Sequence, residues 1–465
     1  MKKLACLYVI STIILTGCAA RQEQAVIYTG PVLVPAEEAL PGIPTEVQYS
    51  DYWIRTAPDP DRVILSLEEI EEFNSNNPLN GTSLVDVLNL PEEIDGTSLR
   101  NHLASNARHL LESTYYVTEN IPLEMSERHL IAALMDTLNV PDVIPLRFGV
   151  MLRREMGKIW PTTIPLMSEP GDNEFDQGVV SSIDMGEPVT LLHTSKDGRW
   201  SFVQTYGFTC WISSNAVAFG NIETARELTD KTAPLLAVGH RVSVYGTPED
   251  GVAVGNIQMG SYLPLRIAGN NFCEVLIPGR GENNELVAKR GYIRRGSDVT
   301  IGFLPYTLRN IYRQSFVLYG RRYGWGGMFE ERDCSSFVLD VFRCFGFRLP
   351  RNSTQLLQAS TVIIPLEKYD REARMEILKS APCGITLLGN PGHIMIYLGN
   401  VMGTPYVIHS FWAWRTPSGY GSDITHRVAR VTVTDLMLGD GSSKGSFIDR
   451  LTHITILGNY IITAQ

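Results

Sequence analysis

A chain of 465 residues, 44% of them hydrophobic, is long enough for about two to four globular domains and excludes a fibrous or disordered protein. Its formal net charge of −10, with no basic stripe, argues against a nucleic-acid partner. The seven cysteines are scattered and form no CxxC pair or His/Cys cluster, so the sequence predicts neither a disulfide framework nor a metal site.

Residues 1–18 are typical of a targeting segment, with two lysines followed by an apolar run from Leu4 to Leu15 that is too short to span a membrane. The run ends in Leu15-Thr16-Gly17-Cys18, which resembles a bacterial lipobox. The resemblance implies cleavage before Cys18, lipidation of Cys18 and, because Ala19 is not aspartate, an outer-membrane anchor facing the periplasm. The alternative is a plain secretory signal peptide with a chance cysteine.

Residues 19–61 contain six prolines and predict an extended tether. Tyr49, Tyr52 and Trp53 are more aromatic than a free linker needs, so part of the tether is expected to wrap over the next unit.

Residues 62–156 predict a helical N-terminal unit. Ser66 is expected to cap its first helix, and two amphipathic segments follow, from Gly96 to Ser113 and from Ser126 to Leu138. We expect Ser126 to cap the last of them. This unit contains no chemical motif, which predicts a scaffold or lid role.

From residue 157 onward, short apolar runs alternate with turn residues, which predicts strands. The runs Val189–His193 and Trp200–Gln204, separated by an Asp-Gly turn, resemble a bacterial SH3-like barrel that we assign to residues 157–230. A weaker repeat of the same pattern predicts a second SH3-like barrel at residues 231–304.

The C-terminal segment, residues 305–465, contains the candidate chemistry. Cys334 precedes apolar residues at helical spacing, which places it in the first turn of a predicted helix, where free N–H groups and the helix dipole favour a thiolate. His393 and His409 follow on two predicted strands. This is the chain order of a Cys–His–polar triad, although a lone cysteine is more often structural.

These motifs resemble the NlpC-type cell-wall peptidases, a papain-like family. The resemblance rests on Tyr323-Gly324-Trp325-Gly326-Gly327, on Asp333-Cys334-Ser335 and on the later segment Leu349-Pro350-Arg351, and it departs from the family where Ser336 replaces a glycine. It implies that Cys334 is the nucleophile, His393 the general base and His409 the orienting residue, with no cofactor or metal. The expected fold class is α+β multidomain: a helical unit, two small SH3-like β-barrels and a papain-like α+β catalytic domain.

This domain order resembles a multidomain group of these enzymes that cleave the γ-D-glutamyl to diamino acid bond of peptidoglycan stem peptides. In that group the first barrel blocks one end of the cleft, so that only peptides with a free N-terminal L-Ala fit. The resemblance implies that Asp333 pairs with the substrate ammonium, and we expect the Cys334 N–H and Tyr323 to hold the oxyanion. It also implies substrate contacts from Ser335, Ser353 and Tyr206.

Two alternatives stay open at the level of the sequence. The same catalytic fold also serves amidases and acyltransferases. A non-catalytic, lipid-anchored peptidoglycan-binding protein is the other alternative, in which the barrels grip the wall. In each case we expect a monomer.

Overall fold

The computed structural model describes residue 40 and residues 42–118, 121–249, 251–418 and 422–460, so Cys18 and the predicted leader lie outside the described residues. The described residues combine helices with antiparallel sheets, which confirms the α+β multidomain class. In these ranges, no helix has the length and apolar content needed to span a membrane. Short 3-10 helices occupy Glu46–Gln48, Thr137–Asn139, Ser214–Ala216 and Ile448–Arg450, whereas Trp325–Glu330 is a kinked turn segment with non-helical backbone angles at its centre.

Helices α1 (Ser50–Thr56) and α2 (Leu67–Ser75) pack on the C-terminal domain. Trp53 is only 3% exposed, and its indole N–H donates to the Val47 carbonyl at 2.7 Å. Burying an indole stabilises the fold by a few kcal/mol. Part of the segment predicted as a tether is therefore helical, and its Trp53 side chain packs in the core of the C-terminal domain. The predicted Ser66 cap of α2 is confirmed, as part of a capping box with Glu69.

Helices α3 (Gly96–Glu112) and α4 (Met125–Leu134) and the strand pair β1 (Glu93–Asp95) and β2 (Val143–Pro145) lie beside the first barrel. They share one buried cluster with barrel tryptophans, so they form no core of their own. Glu124, rather than Ser126, stands at the N-cap of α4, and its backbone N–H donates to the Glu127 carboxylate at 3.1 Å.

The first barrel is a sheet of seven strands in the order β5-β4-β8-β7-β6-β3-β9. It begins at Arg147 rather than at residue 157, because its first strand pairs with its last, a contact that local patterns do not reveal. Helix α5 (Ile222–Leu228) follows it. The strands are β3 (Arg147–Met151), β4 (Glu155–Lys158), β5 (Val179–Ile183), β6 (Pro188–Thr194), β7 (Trp200–Gln204), β8 (Thr209–Ser213) and β9 (Val217–Gly220).

The second barrel is another seven-stranded antiparallel sheet, in the order β12-β11-β15-β14-β13-β10-β16. Val244, Ile257 and Val275 fill its core. The strands are β10 (Pro234–Ala237), β11 (Arg241–Tyr245), β12 (Ala253–Gln258), β13 (Tyr262–Ala268), β14 (Phe272–Arg280), β15 (Leu286–Arg294) and β16 (Val299–Ile301).

The C-terminal domain packs helices on a six-stranded antiparallel sheet in the order β17-β22-β18-β19-β20-β21. Phe337, Val341 and Phe342 face its core and are fully buried, which holds α7 on the sheet. The elements are α6 (Leu308–Val317), α7 (Cys334–Arg343), α8 (Ser353–Leu356), β17 (Ile363–Pro365), α9 (Arg371–Ser380), β18 (Thr386–Asn390), β19 (His393–Val401), β20 (Thr404–Pro417), β21 (Asp423–Asp435) and β22 (His453–Ile456).

Candidate active site

Cys334 is the first residue of α7 and is 7% exposed. Asp333 caps the helix: its carboxylate accepts the Ser336 N–H at 2.9 Å, and the Ser336 hydroxyl accepts the Asp333 N–H at 2.9 Å. The backbone N–H of Ile394, at the start of β19, donates to the Cys334 sulfur. The thiol therefore lies between the head of the helix and the strand that carries His393.

The two histidines are hydrogen-bonded to each other. His393 Nε2 lies 2.7 Å from His409 Nδ1, so one of these nitrogens donates to the other. His409 is fully buried, its ring stacks on Phe411 with 4.3 Å between centroids, and its Nε2 lies 3.1 Å from the Thr434 hydroxyl. The chain from His393 through His409 to Thr434 restrains the imidazole orientation and tautomer, as the third member of a triad does.

Burial controls the charge of the candidate pair. It raises the pKa of Cys334 to about 12, with a further increase from the Asp333 carboxylate. It lowers the pKa of His393 to about 3, and the nearby Arg450 guanidinium adds to this decrease. At neutral pH these shifts favour a thiol and a neutral imidazole in the resting pair, whereas the helix terminus alone favours a thiolate.

Tyr323 lies beside the nucleophile. It is buried, and its phenol pKa is raised by burial and by the neighbouring Cys334 and Asp333. The hydroxyl stays protonated and can donate a hydrogen bond, which is the property that the predicted oxyanion role requires.

Asp333 does not offer a free carboxylate to a substrate ammonium. Its Oδ2 accepts from Arg351 Nη2 at 2.6 Å and from the Gly326 N–H at 3.1 Å, while its Oδ1 accepts from Ser335 and Ser336. A carboxylate has about four lone-pair positions, and all are used. In the described arrangement Arg351 supplies the cation beside Asp333, and the contact of Asp333 with a substrate ammonium stays a prediction.

Arg351 is the residue whose role the sequence prediction missed. Besides Asp333, its guanidinium donates to the Ser335 hydroxyl and to the Ser181 hydroxyl of the first barrel, each at 2.6 Å. Ser335 thus belongs to this network. Ser353 begins α8, and among the described contacts its side chain makes no hydrogen bond to these residues. The Leu-Pro-Arg segment is visible in the sequence, but only the fold brings Arg351 next to Asp333.

Tyr206 lies at the junction of both barrels and the C-terminal domain. It lines a cavity of about 410 Å³ together with Glu187, Tyr262 and Arg343, and the Arg343 guanidinium lies 5.3 Å from its ring centroid. Burial raises its pKa to about 12, and Arg351 is close enough to oppose this. The structure therefore places Tyr206 near Arg351, and the described contacts do not include one between Tyr206 and Cys334.

A loop of the first barrel reaches the site, and no local pattern in the sequence predicts this contact. The Phe175 loop, residues 159–178 between β4 and β5, carries Glu174, whose Oε1 accepts from Arg322 at 2.6 Å and from Arg427 at 2.7 Å. These ion pairs tie the barrel to the C-terminal domain.

Phe175 packs into an aromatic group next to the nucleophile. Its ring centroid lies 4.9 Å from that of Trp412, 5.3 Å from Trp325 and 6.0 Å from Tyr323. Since Tyr323 neighbours Cys334, the loop covers this side of the site.

The glycines of the Tyr-Gly-Trp-Gly-Gly motif allow the barrel to dock. Gly326 and Gly327 have φ of +59° and +94°, and a Cβ atom there would clash with Val179 and Ser182 of β5. Only glycine easily adopts a positive φ and also leaves room for the neighbouring strand, because it has no Cβ atom. The motif therefore serves the contact between the domains as well as the approach to Cys334.

The family model described as the NlpC/P60 family matches residues 320–410, and the model described as an SH3 domain of SH3b1 type matches residues 165–213. No curated protein matches the chain.

Two solved structures are similar to this chain. An NlpC/P60 endopeptidase from Photobacterium damselae subsp. piscicida is 18% identical, with a TM-score of 0.73, covering 88% of this chain and 96% of its own. An NlpC/P60 family protein from Bacillus cereus ATCC 10987 is 15% identical, with a TM-score of 0.47, covering 66% of this chain and 98% of its own. The first of these shows a shared fold. With the family match, the C-terminal domain of this chain belongs to the NlpC/P60 family of cysteine hydrolases that act on cell-wall peptidoglycan, and an SH3 domain precedes it.

Proposed function

We propose that this protein is a cysteine endopeptidase that cleaves the bond between γ-D-glutamate and the diamino acid in peptidoglycan stem peptides. The observation that carries the proposal is the connection from Cys334, through the Ile394 N–H, to the strand bearing His393, which is held in turn by His409. A thiol, a base and an orienting group on three elements form the minimal equipment for acyl transfer.

In the proposed mechanism, His393 takes the thiol proton as the substrate carbonyl reaches Cys334. The sulfur attacks the γ-carbonyl carbon, and the oxyanion is held by the Cys334 N–H and the Tyr323 hydroxyl. The intermediate collapses, the C–N bond breaks, and the imidazolium of His393 returns the proton to the leaving amine. Water, deprotonated by His393, then hydrolyses the thioester. No step requires a cofactor.

We propose that the first barrel restricts the space available for the acyl part of the substrate. The described ring and hydrogen-bond contacts of His393 lie within the C-terminal domain, whereas Phe175 of the first barrel packs on Tyr323, a neighbour of Cys334. Because His393 serves the leaving amine, we assign the space next to Phe175 to the acyl part of the substrate. This limit is steric, since Asp333 is already neutralised by Arg351. A free N-terminal L-Ala fits the restricted space better than an acylated one.

The proposal is tested with the tripeptide L-Ala-γ-D-Glu-diaminopimelate and mass spectrometry of its products. We expect L-Ala-D-Glu and free diaminopimelate from the wild type, no products from Cys334→Ser, and wild-type rates from Cys383→Ser, a cysteine remote from the site. Release of L-Ala instead would identify cleavage of the L-Ala–D-Glu bond, and binding without products would identify a non-catalytic wall-binding protein. Either result refutes the proposed reaction.

The steric limit has its own test. We expect the N-acetylated tripeptide to be cleaved at least about tenfold more slowly than the free one, because an added acyl group meets the Phe175 loop. Phe175→Ala should reduce this ratio. Equal rates for both peptides in the wild type would refute the limit without touching the proposed reaction.

Membrane attachment through Cys18 is also a proposal, supported by the lipobox-like sequence. A Cys18→Ser variant should lose incorporation of labelled fatty acid and should leave the membrane fraction. Labelling that persists in this variant would refute the proposal.

A further inference from the structure

Asn390 lies next to His393 on the neighbouring strand. Strands β18 and β19 are joined by the tight turn Pro391-Gly392, with Gly392 at φ +72°, and Asn390 and His393 are directly opposite each other in the pairing. Side chains of directly opposed residues in an antiparallel pair point to the same face, with Cβ atoms about 4.5–5.5 Å apart. The sheet order β18-β19-β20 therefore puts Asn390 on one flank of His393 and His409 on the other.

The Asn390 side chain is buried without a partner. It is 4% exposed, and neither its amide nitrogen nor its amide oxygen has a hydrogen-bond partner among the described residues. A carboxamide offers two donors and an oxygen acceptor, and leaving such groups unpaired in the interior destabilises a fold. A leucine would fill the same space without that cost. The amide therefore indicates a hydrogen-bonding ligand that is absent from the folded chain alone.

The position of Asn390 indicates which part of the substrate it contacts. In the proposed reaction His393 hands its proton to the leaving nitrogen, so the leaving diamino acid residue must lie beside His393. On one flank of that imidazole, His409 fills the space and is itself fully buried. The other flank is the one that Asn390 occupies.

We propose that Asn390 is a substrate-binding residue for the leaving group: its Nδ2 donates to the carbonyl or carboxylate oxygen of the diamino acid residue, and its Oδ1 accepts an N–H from the same residue. This inference rests on the proposed function and adds a specificity-determining residue to it. It predicts a preference for peptidic leaving groups over amines that carry no neighbouring carbonyl.

The test compares two substrates that share the acyl part, L-Ala-γ-D-Glu-diaminopimelate and L-Ala-γ-D-Glu-p-nitroanilide. We expect Asn390→Ala to lower kcat/KM on the tripeptide by about 10- to 100-fold, the range for losing one or two hydrogen bonds to a substrate. Hydrolysis of the anilide, which has no carbonyl next to its nitrogen, should stay within about twofold of the wild type. Asn400→Ala is the matched control, since Asn400 lies near the other end of β19 and its side chain serves only a turn, accepting the Gly403 N–H at 2.8 Å.

Asn390→Leu guards against a failure to fold, because it keeps the volume and removes the unpaired amide. Its melting temperature should not fall below that of the wild type, and its substrate selectivity should match that of Asn390→Ala. Unchanged tripeptide hydrolysis in folded variants, or an equal loss on both substrates, overturns the inference and leaves the proposed function standing. A wild type that cleaves neither substrate overturns the proposed function itself, and the role of Asn390 with it.

Discussion

Removing Arg351 should destabilise the protein more than removing any exposed ion pair. The guanidinium and the Asp333 carboxylate are 11% and 8% exposed and 2.6 Å apart. Arg351→Ala leaves the carboxylate buried with no cation, and breaking a buried pair in this way costs about 3–5 kcal/mol. Arg371→Ala is the control: its guanidinium is 42% exposed, and its solvent-exposed pairs with Asp440 and Asp449 should contribute little to the stability.

The pH dependence of this loss gives a second readout. Burial alone would raise the pKa of Asp333, but Arg351 and the hydrogen bonds from Ser336 outweigh it and hold the pKa below its usual value. In the wild type, this carboxylate therefore stabilises the fold above pH about 4 and loses its contribution as the pH falls. Without Arg351, burial dominates and the pKa is raised. The difference in unfolding free energy between variant and wild type should thus be largest near pH 7 and should shrink toward pH 4.

The assay is urea unfolding followed by fluorescence at several pH values, with a double-mutant cycle. Asparagine is also a good helix cap, so Asp333→Asn combined with Arg351→Ala should recover part of the loss, with a coupling of about 2 kcal/mol or more. A loss below about 1 kcal/mol for Arg351→Ala at pH 7, or one that does not change with pH, would refute the reasoning.

Two further predictions concern the catalytic pair and its support. The pKa of His393 is lowered to about 3 and that of Cys334 is raised to about 12. We therefore expect kcat/KM to fall only below about pH 5 and to persist above about pH 9. A fall centred near pH 6.5 would contradict the neutral resting pair. For the same reason iodoacetamide should alkylate Cys334 slowly near pH 7 without substrate, and mass spectrometry of the labelled protein checks this. Thr434→Val should lower kcat about three- to tenfold with little change in KM, since it removes the hydroxyl next to His409, whereas Thr432→Val should not. Equal effects of the two threonine variants would show that the hydroxyl of Thr434 has no special role.

Local patterns were sufficient for several parts of the molecule. The capping box at Ser66 and the helix after Cys334 depend on residues within a few positions of each other, and the structure has both. The boundaries that were missed depend on long-range pairing: the first barrel begins at Arg147 because β3 pairs with β9. The sequence predicts a tether around Trp53 because the core that buries this residue is formed by residues hundreds of positions away in the C-terminal domain.

The sequence by itself determined which chemistry is available: a cysteine at a helix start and two histidines on strands, with residue types and spacing that local rules can interpret. The tertiary structure decided the charge and the surroundings of these groups. Burial favours the neutral forms of Cys334 and His393. Arg351 forms an ion pair with the Asp333 carboxylate, which was expected to bind a substrate ammonium, and Phe175 of the first barrel packs on Tyr323. The physical reason is that desolvation and ion pairing depend on which surfaces come together in space, and this information is spread over the whole chain.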